Sequence, residues 1–126
     1  MARTPEVVVK DQVKAALSAR RVVPFSDILS GRAKAGEYDG FYYMPVAGRF
    51  AVLGVHDFVG CLRGHFFSIE TKAPDNPDDA TAHQEKFQEA STATGGISFT
   101  GARDASVVDA LFARVEELEA RCAHDV

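Results

Sequence analysis

Asp57, Glu70 and Lys72 are the residues of this chain whose types and spacing could do chemistry together. Arg63-Gly64 lies between two apolar runs, and a two-residue hairpin turn there pairs Leu62 with His65 and, further along the ladder, Asp57 with Glu70. Cross-strand neighbours on one face have Cβ atoms roughly 4.5–5.5 Å apart, so this register forces two carboxylates together. Like charges so placed destabilise a sheet. A divalent cation removes the repulsion, and paired carboxylate oxygens are the ligands that a hard ion such as Mg²⁺ prefers, with Mn²⁺ as a substitute. Lys72, two residues beyond Glu70, points to the same face because strand side chains alternate. A three-residue loop would undo the opposition. Glu70 and Lys72 also read as the exposed end of a strand, forming a surface ion pair worth about 0–1 kcal/mol.

The elements that must position these residues follow from pattern. Thr4-Pro5-Glu6 opens a first helix, with Thr4 as N-cap and Pro5 in the first helical position, and Val9, Val13, Ala16 and Leu17 carry it to about Arg20. Ser30 to Gly40, with Gly31, Gly36, Arg32, Lys34 and Glu37, reads as a flexible, partly basic loop. The pattern then turns to β over Phe41–Val46, Phe50–Leu53, Phe58–Leu62 and Phe66–Ile69, three or four strands. Pro74-Asp75-Asn76-Pro77-Asp78-Asp79 breaks the chain. A second helix capped by Asp79 follows, with Ala80, His83, Phe87, Ala90 and Thr94 along one face. Gly95-Gly96 ends it, Ile97–Thr100 forms a strand, and Asp104 caps a last helix carrying Val107, Val108, Leu111, Phe112, Val115 and Leu118. The expected class is α/β (α+β), a mixed β-sheet flanked by helices in the order α-β-β-β-α-β-α.

At 126 residues the chain is long enough for one domain with a real core, taken as residues 1–126, and too short for two. Cys61 and Cys122 stand apart and His56, His65, His83 and His124 are scattered, which leaves a zinc site of thiolates and imidazoles without support. No apolar run approaches the length of a membrane span and no secretory leader opens the sequence, so a cytoplasmic protein is expected. The net charge of −4 argues against a nucleic-acid partner until its distribution is considered. Residues 1–72 carry ten Lys/Arg against seven Asp/Glu, whereas residues 73–126 carry four against eleven. The basic half holds the paired carboxylates.

The ordered set Gly54-Val55-His56-Asp57-Phe58-Val59-Gly60-Cys61, Phe67-Ser68-Ile69-Glu70-Thr71-Lys72-Ala73-Pro74, Gln84 with Phe87, and Gly95-Gly96-Ile97 resembles the VRR-NUC branch of the PD-(D/E)XK nucleases. The resemblance covers roughly residues 41–110 and implies a restriction-endonuclease-like core. It further implies that Asp57 and Glu70 bind the metal with the backbone carbonyl of Thr71, that Lys72 orients or stabilises the attacking hydroxide, and that Gln84 supports the site from the second helix. Family members carry a carboxylate on the first helix, and Glu6 matches that place, in line with Val13 and Leu17; an acid favoured by the helix dipole is the other reading.

Two departures bear on substrate. His56 stands before the motif aspartate and faces away from it, as a packing or hydrogen-bonding histidine or as a phosphate or water contact. The family's basic residue on the first sheet strand is replaced by Tyr42-Tyr43-Met44-Pro45, leaving Arg49, Arg32 and Lys34 as substitutes and Tyr43 among the aromatics that could stack on bases. The implied activity is an Mg²⁺-dependent endodeoxyribonuclease acting on branched DNA such as four-way junctions, as a homodimer without organic cofactor or membrane partner. A flap or nicking nuclease with the same site and an inactive nucleic-acid-binding module with the same fold are the alternatives.

Overall fold

The computed structural model describes residues 3–46 and 51–124. Its centre is the expected hairpin. Arg63 and Gly64 both take positive φ, 48° and 84°, which is what a two-residue turn between twisted antiparallel strands requires. Strands β3 (Phe58–Leu62) and β4 (His65–Thr71) therefore pair with Leu62 opposite His65 and Phe58 opposite Ile69.

Around this hairpin the chain runs α1 (Pro5–Ala19), β1 (Val22–Pro24), α2 (Phe25–Leu29), β2 (Gly40–Tyr43), β3, β4, α3 (Ala82–Ala93), β5 (Ile97–Ala102) and α4 (Ser106–His124). The five strands form one mixed sheet in sequence order, antiparallel within β2-β3-β4 and parallel at β1-β2 and β4-β5. The result is an α+β sheet flanked by helices. Among the described residues no helix is long and apolar enough to cross a membrane.

Thr4 Oγ1 accepts the Val7 N–H at 3.3 Å to start α1, whose buried stripe is Val9, Val13 and Leu17. These meet Val107, Val108, Leu111 and Val115 of α4 and, from the sheet, Val22, Tyr42, Phe58, Leu62, Phe67 and Ile69. Helices α1 and α4 thus close one face of the sheet. Helix α3 lies on the other, against β4 and β5.

Four features differ from the pattern reading. A short strand and helix, β1 and α2, precede the loop at 30–39, because three residues of strand and five of helix are too short to show a period. No strand forms over residues 51–53, which are exposed, and Phe50 lies outside the described residues. Thr81, and not Asp79, caps α3, in a capping box where Thr81 Oγ1 accepts the Gln84 N–H and Gln84 Oε1 accepts the Thr81 N–H. The inward face of α3 runs through Gln84, Phe87, Gln88 and Ser91, while His83 and Ala90 are exposed. The apolar-periodicity argument fails on α3 because this helix turns amides and a serine inward.

Candidate metal centre

Glu6 from the first turn of α1, Asp57 just before β3 and Glu70 near the end of β4 bring carboxylate oxygens within 4.8 Å of one another. Each arrives for a local reason. The hairpin register sets Asp57 beside Glu70, and their hydrogen bonds tie them further: Asp57 N–H donates to Glu70 Oε1 at 3.1 Å, and Thr71 N–H donates to Asp57 Oδ2 at 3.0 Å. Thr71 Oγ1 donates to the same oxygen. Glu6 comes from the start of a helix whose stripe is buried against the sheet.

Gln84 occupies the centre of the polar side of the site. Its amide nitrogen donates to Glu70 Oε2 at 3.0 Å, and its amide oxygen accepts both the Lys72 ammonium at 3.0 Å and the Thr81 N–H at 2.8 Å. Rotating the amide would place NH₂ against two donors, so these contacts determine its orientation. Lys72 Nζ also lies 3.8 Å from Glu70 Oε2.

Burial dominates the electrostatics of the cluster. Glu70 is buried, and loss of solvent, followed by the neighbouring Asp57 charge, pushes its pKa from 4.5 up to about 7, against the opposing pull of Lys72. An all-oxygen set of this kind, with one carboxylate reluctant to ionise because it is buried beside another, fits a hard divalent cation and could bind one. Thiolate and imidazole ligands are not part of it.

Lys10 was not singled out by spacing, yet its Nζ stands 3.7 Å from Glu6 Oε1 and 3.6 Å from Asp57 Oδ1. The i, i+4 relation to Glu6 was the available signal.

His56 is completely buried, and this corrects its reading as a nucleic-acid contact. Its Nε2 lies 2.9 Å from the Gln84 carbonyl oxygen, which can only accept, so Nε2 carries the proton. Burial lowers its pKa and holds it neutral, leaving Nδ1 to accept from Ser68 Oγ at 2.9 Å, with Ser98 Oγ 2.6 Å behind. Its ring also packs on Phe87. The histidine supports the first turn of α3, and through it Gln84.

Of the other expected contacts, Tyr43 is 55% exposed and shares a face with Val59, two residues from Asp57. Arg32 and Lys34 lie in the loop between α2 and β2, on the β1-β2 side of the sheet, with Arg32 paired to Asp27 at 3.2 Å; they are not gathered at the carboxylates. Arg49 falls outside the described residues. Arg103 was not anticipated. It donates to the carbonyls of Asn76, Asp78 and Gly101 and to Asp79 Oδ1, and so pins the loop that leads from Lys72 to Gln84.

Comparison of the chain with protein-family models, with curated proteins and with solved structures gave no match.

Proposed function

We propose that this chain is a metal-dependent nuclease of the PD-(D/E)XK type, hydrolysing DNA phosphodiesters on Mg²⁺ or Mn²⁺, with branched DNA as the preferred substrate and a homodimer as the working form. The observation that carries the reading is the convergence of Glu6, Asp57 and Glu70 within 4.8 Å, with Lys72 held beside them through Gln84. The resemblance to VRR-NUC nucleases supplies the nucleic-acid substrate, and the mixed sheet with a helix on each side is compatible with a nuclease core of that kind.

Phosphodiester hydrolysis needs a nucleophile at neutral pH and stabilisation of the charge that develops on the phosphoryl oxygens. A bound Mg²⁺ supplies Lewis acidity and a lowered water pKa. Asp57 and Glu70 would hold it, with Glu6 as a third carboxylate. Thr71 would add its carbonyl: its N–H faces Asp57, and in a strand the N–H and C=O of one residue point to the same side. Lys72 stays out of the ligand set. Its ammonium, held by Gln84, would face the entering water and the oxygens on which charge builds as the P–O bond to the leaving group breaks.

The test is cleavage by purified protein of a labelled four-way junction, a flap, a linear duplex and single strands, each with Mg²⁺, Mn²⁺ or EDTA. Metal-dependent cutting that EDTA abolishes is expected, fastest on the junction. No cutting of any substrate with either metal, while DNA is still bound, would overturn the nuclease reading in favour of a binding module.

A further inference from the structure

Resting on the metal-centre reading, we propose that Lys10 is a built-in counter-ion of the site: its ammonium neutralises Glu6 and Asp57 in the metal-free protein and competes with the metal for them. The oxygen inventory carries this. Asp57 Oδ2 is committed to the N–H and hydroxyl of Thr71, and both oxygens of Glu70 accept hydrogen bonds, from Asp57 N–H and from Gln84. Asp57 Oδ1 makes none of these bonds. Lys10 stands at that oxygen, 3.6 Å away, and at Glu6 Oε1, 3.7 Å away. A divalent ion drawing on the same two oxygens would meet a positive charge already in place.

The two lysines of the site are held differently. Lys72 is anchored by a 3.0 Å hydrogen bond to Gln84 and its side chain is only 12% exposed. Lys10 has two looser ion pairs and a side chain 27% exposed, with a flexible stem on the first helix. It can withdraw toward solvent without breaking a buried hydrogen bond. Metal loading thus exchanges one cation for another at Glu6 and Asp57 and leaves the Lys72-Gln84-Glu70 side intact. The carboxylates stay together in the metal-free chain at a cost in metal affinity.

The experiment is Mn²⁺ binding by calorimetry and by the free-ion electron paramagnetic resonance signal, on full-length wild-type protein, Lys10→Met, Lys10→Gln and Asp57→Asn, with thermal melting of each in EDTA. Removing a unit charge at this separation should tighten Mn²⁺ binding about tenfold in both neutral variants while lowering the melting temperature in EDTA. Unchanged or weaker binding in both, with circular dichroism showing native fold, overturns the proposal. Should both variants fail to fold, the wild type alone decides: Mg²⁺ titration followed by NMR of the lysine side chains should mobilise Lys10 and leave Lys72 ordered, and an unmoved Lys10 overturns the proposal. The parent reading fails separately, through a wild type that binds no Mn²⁺ or an Asp57→Asn that binds it as well as wild type.

Discussion

The two faces of the sheet are built on opposite principles. Under α1 and α4, Phe58, Phe67, Ile69, Leu17 and Leu111 are fully buried in a predominantly apolar layer. Under α3, Ser68, Glu70, Gln84 and His56 are joined by hydrogen bonds, and beyond them the outer face of β2 and β3 opens as a groove lined by Phe41, Tyr43, Val59, Cys61, Phe66 and Phe87. Alternation along one strand produces both: Phe67 and Ile69 go to the first face, Ser68 and Glu70 to the second. One face stabilises the fold. The other holds a charged cluster in place, because a buried polar group is tolerated only where its partners are supplied.

The sharpest way to break this division is to substitute across it. Asp57→Asn should lower the cleavage rate on a junction by at least about 10³-fold, an effect on the order of 4 kcal/mol, while its urea midpoint stays close to wild type. Phe67→Ala should cost about 3–5 kcal/mol in urea unfolding. If Asp57→Asn unfolds the protein, or if Phe67→Ala is neutral, the two faces are not separated as described.

A smaller effect tests the cost of burying a carboxylate on the polar face. The Glu70 pKa is raised on folding from 4.5 to about 7, so between these values the folded state holds more protons than the unfolded one, and stability in EDTA falls as pH rises through that window. Glu70→Gln removes the titration. Its stability relative to wild type should grow from near zero at pH 4.5 to roughly 3 kcal/mol above pH 7, read from denaturant melts across pH. A constant difference across the range would show that Glu70 ionises in the fold as it does in water.

The smallest expected effect concerns how the polar face is anchored. Thr81→Ala removes one half of the capping box and should cost about 1 kcal/mol. Because the Thr81 N–H still reaches Gln84 Oε1, the amide contact to Glu70 should survive. Calorimetric Mn²⁺ affinity close to wild type together with the stability loss is the expected pair of results; a large fall in affinity would assign Thr81 a direct part in holding the site.

What was legible in the sequence is what depends on near neighbours. Arg63-Gly64 specifies a two-residue turn, and with it the register that sets Asp57 beside Glu70 and sends Lys72 to the same side. Thr4-Pro5 likewise starts α1, and Val9, Val13 and Leu17 repeat at the helical period. These signals span a few residues and need no knowledge of the rest of the chain. The loop at 51–53, read as a strand, and the pair β1 and α2, which was missed, are segments too short for periodicity to decide.

Tertiary structure decided the rest, because it depends on which distant surfaces meet. That Lys10 reaches Asp57 follows from how α1 packs on the sheet, a relation between residues 47 positions apart that no spacing rule encodes. His56 could be read as a phosphate contact only while its burial was unknown; enclosed by Ser68, Gln84 and Phe87, it holds the helix that carries Gln84. The same holds for α3, where the stripe through His83, Phe87 and Ala90 points the wrong way at His83 and Ala90, and whose inward face was settled by the partners waiting on β4 and β5. Local chemistry placed two carboxylates and a lysine at the open end of one hairpin. Packing brought them the second lysine, and it set in place Glu6 and Gln84, which the family resemblance alone had named.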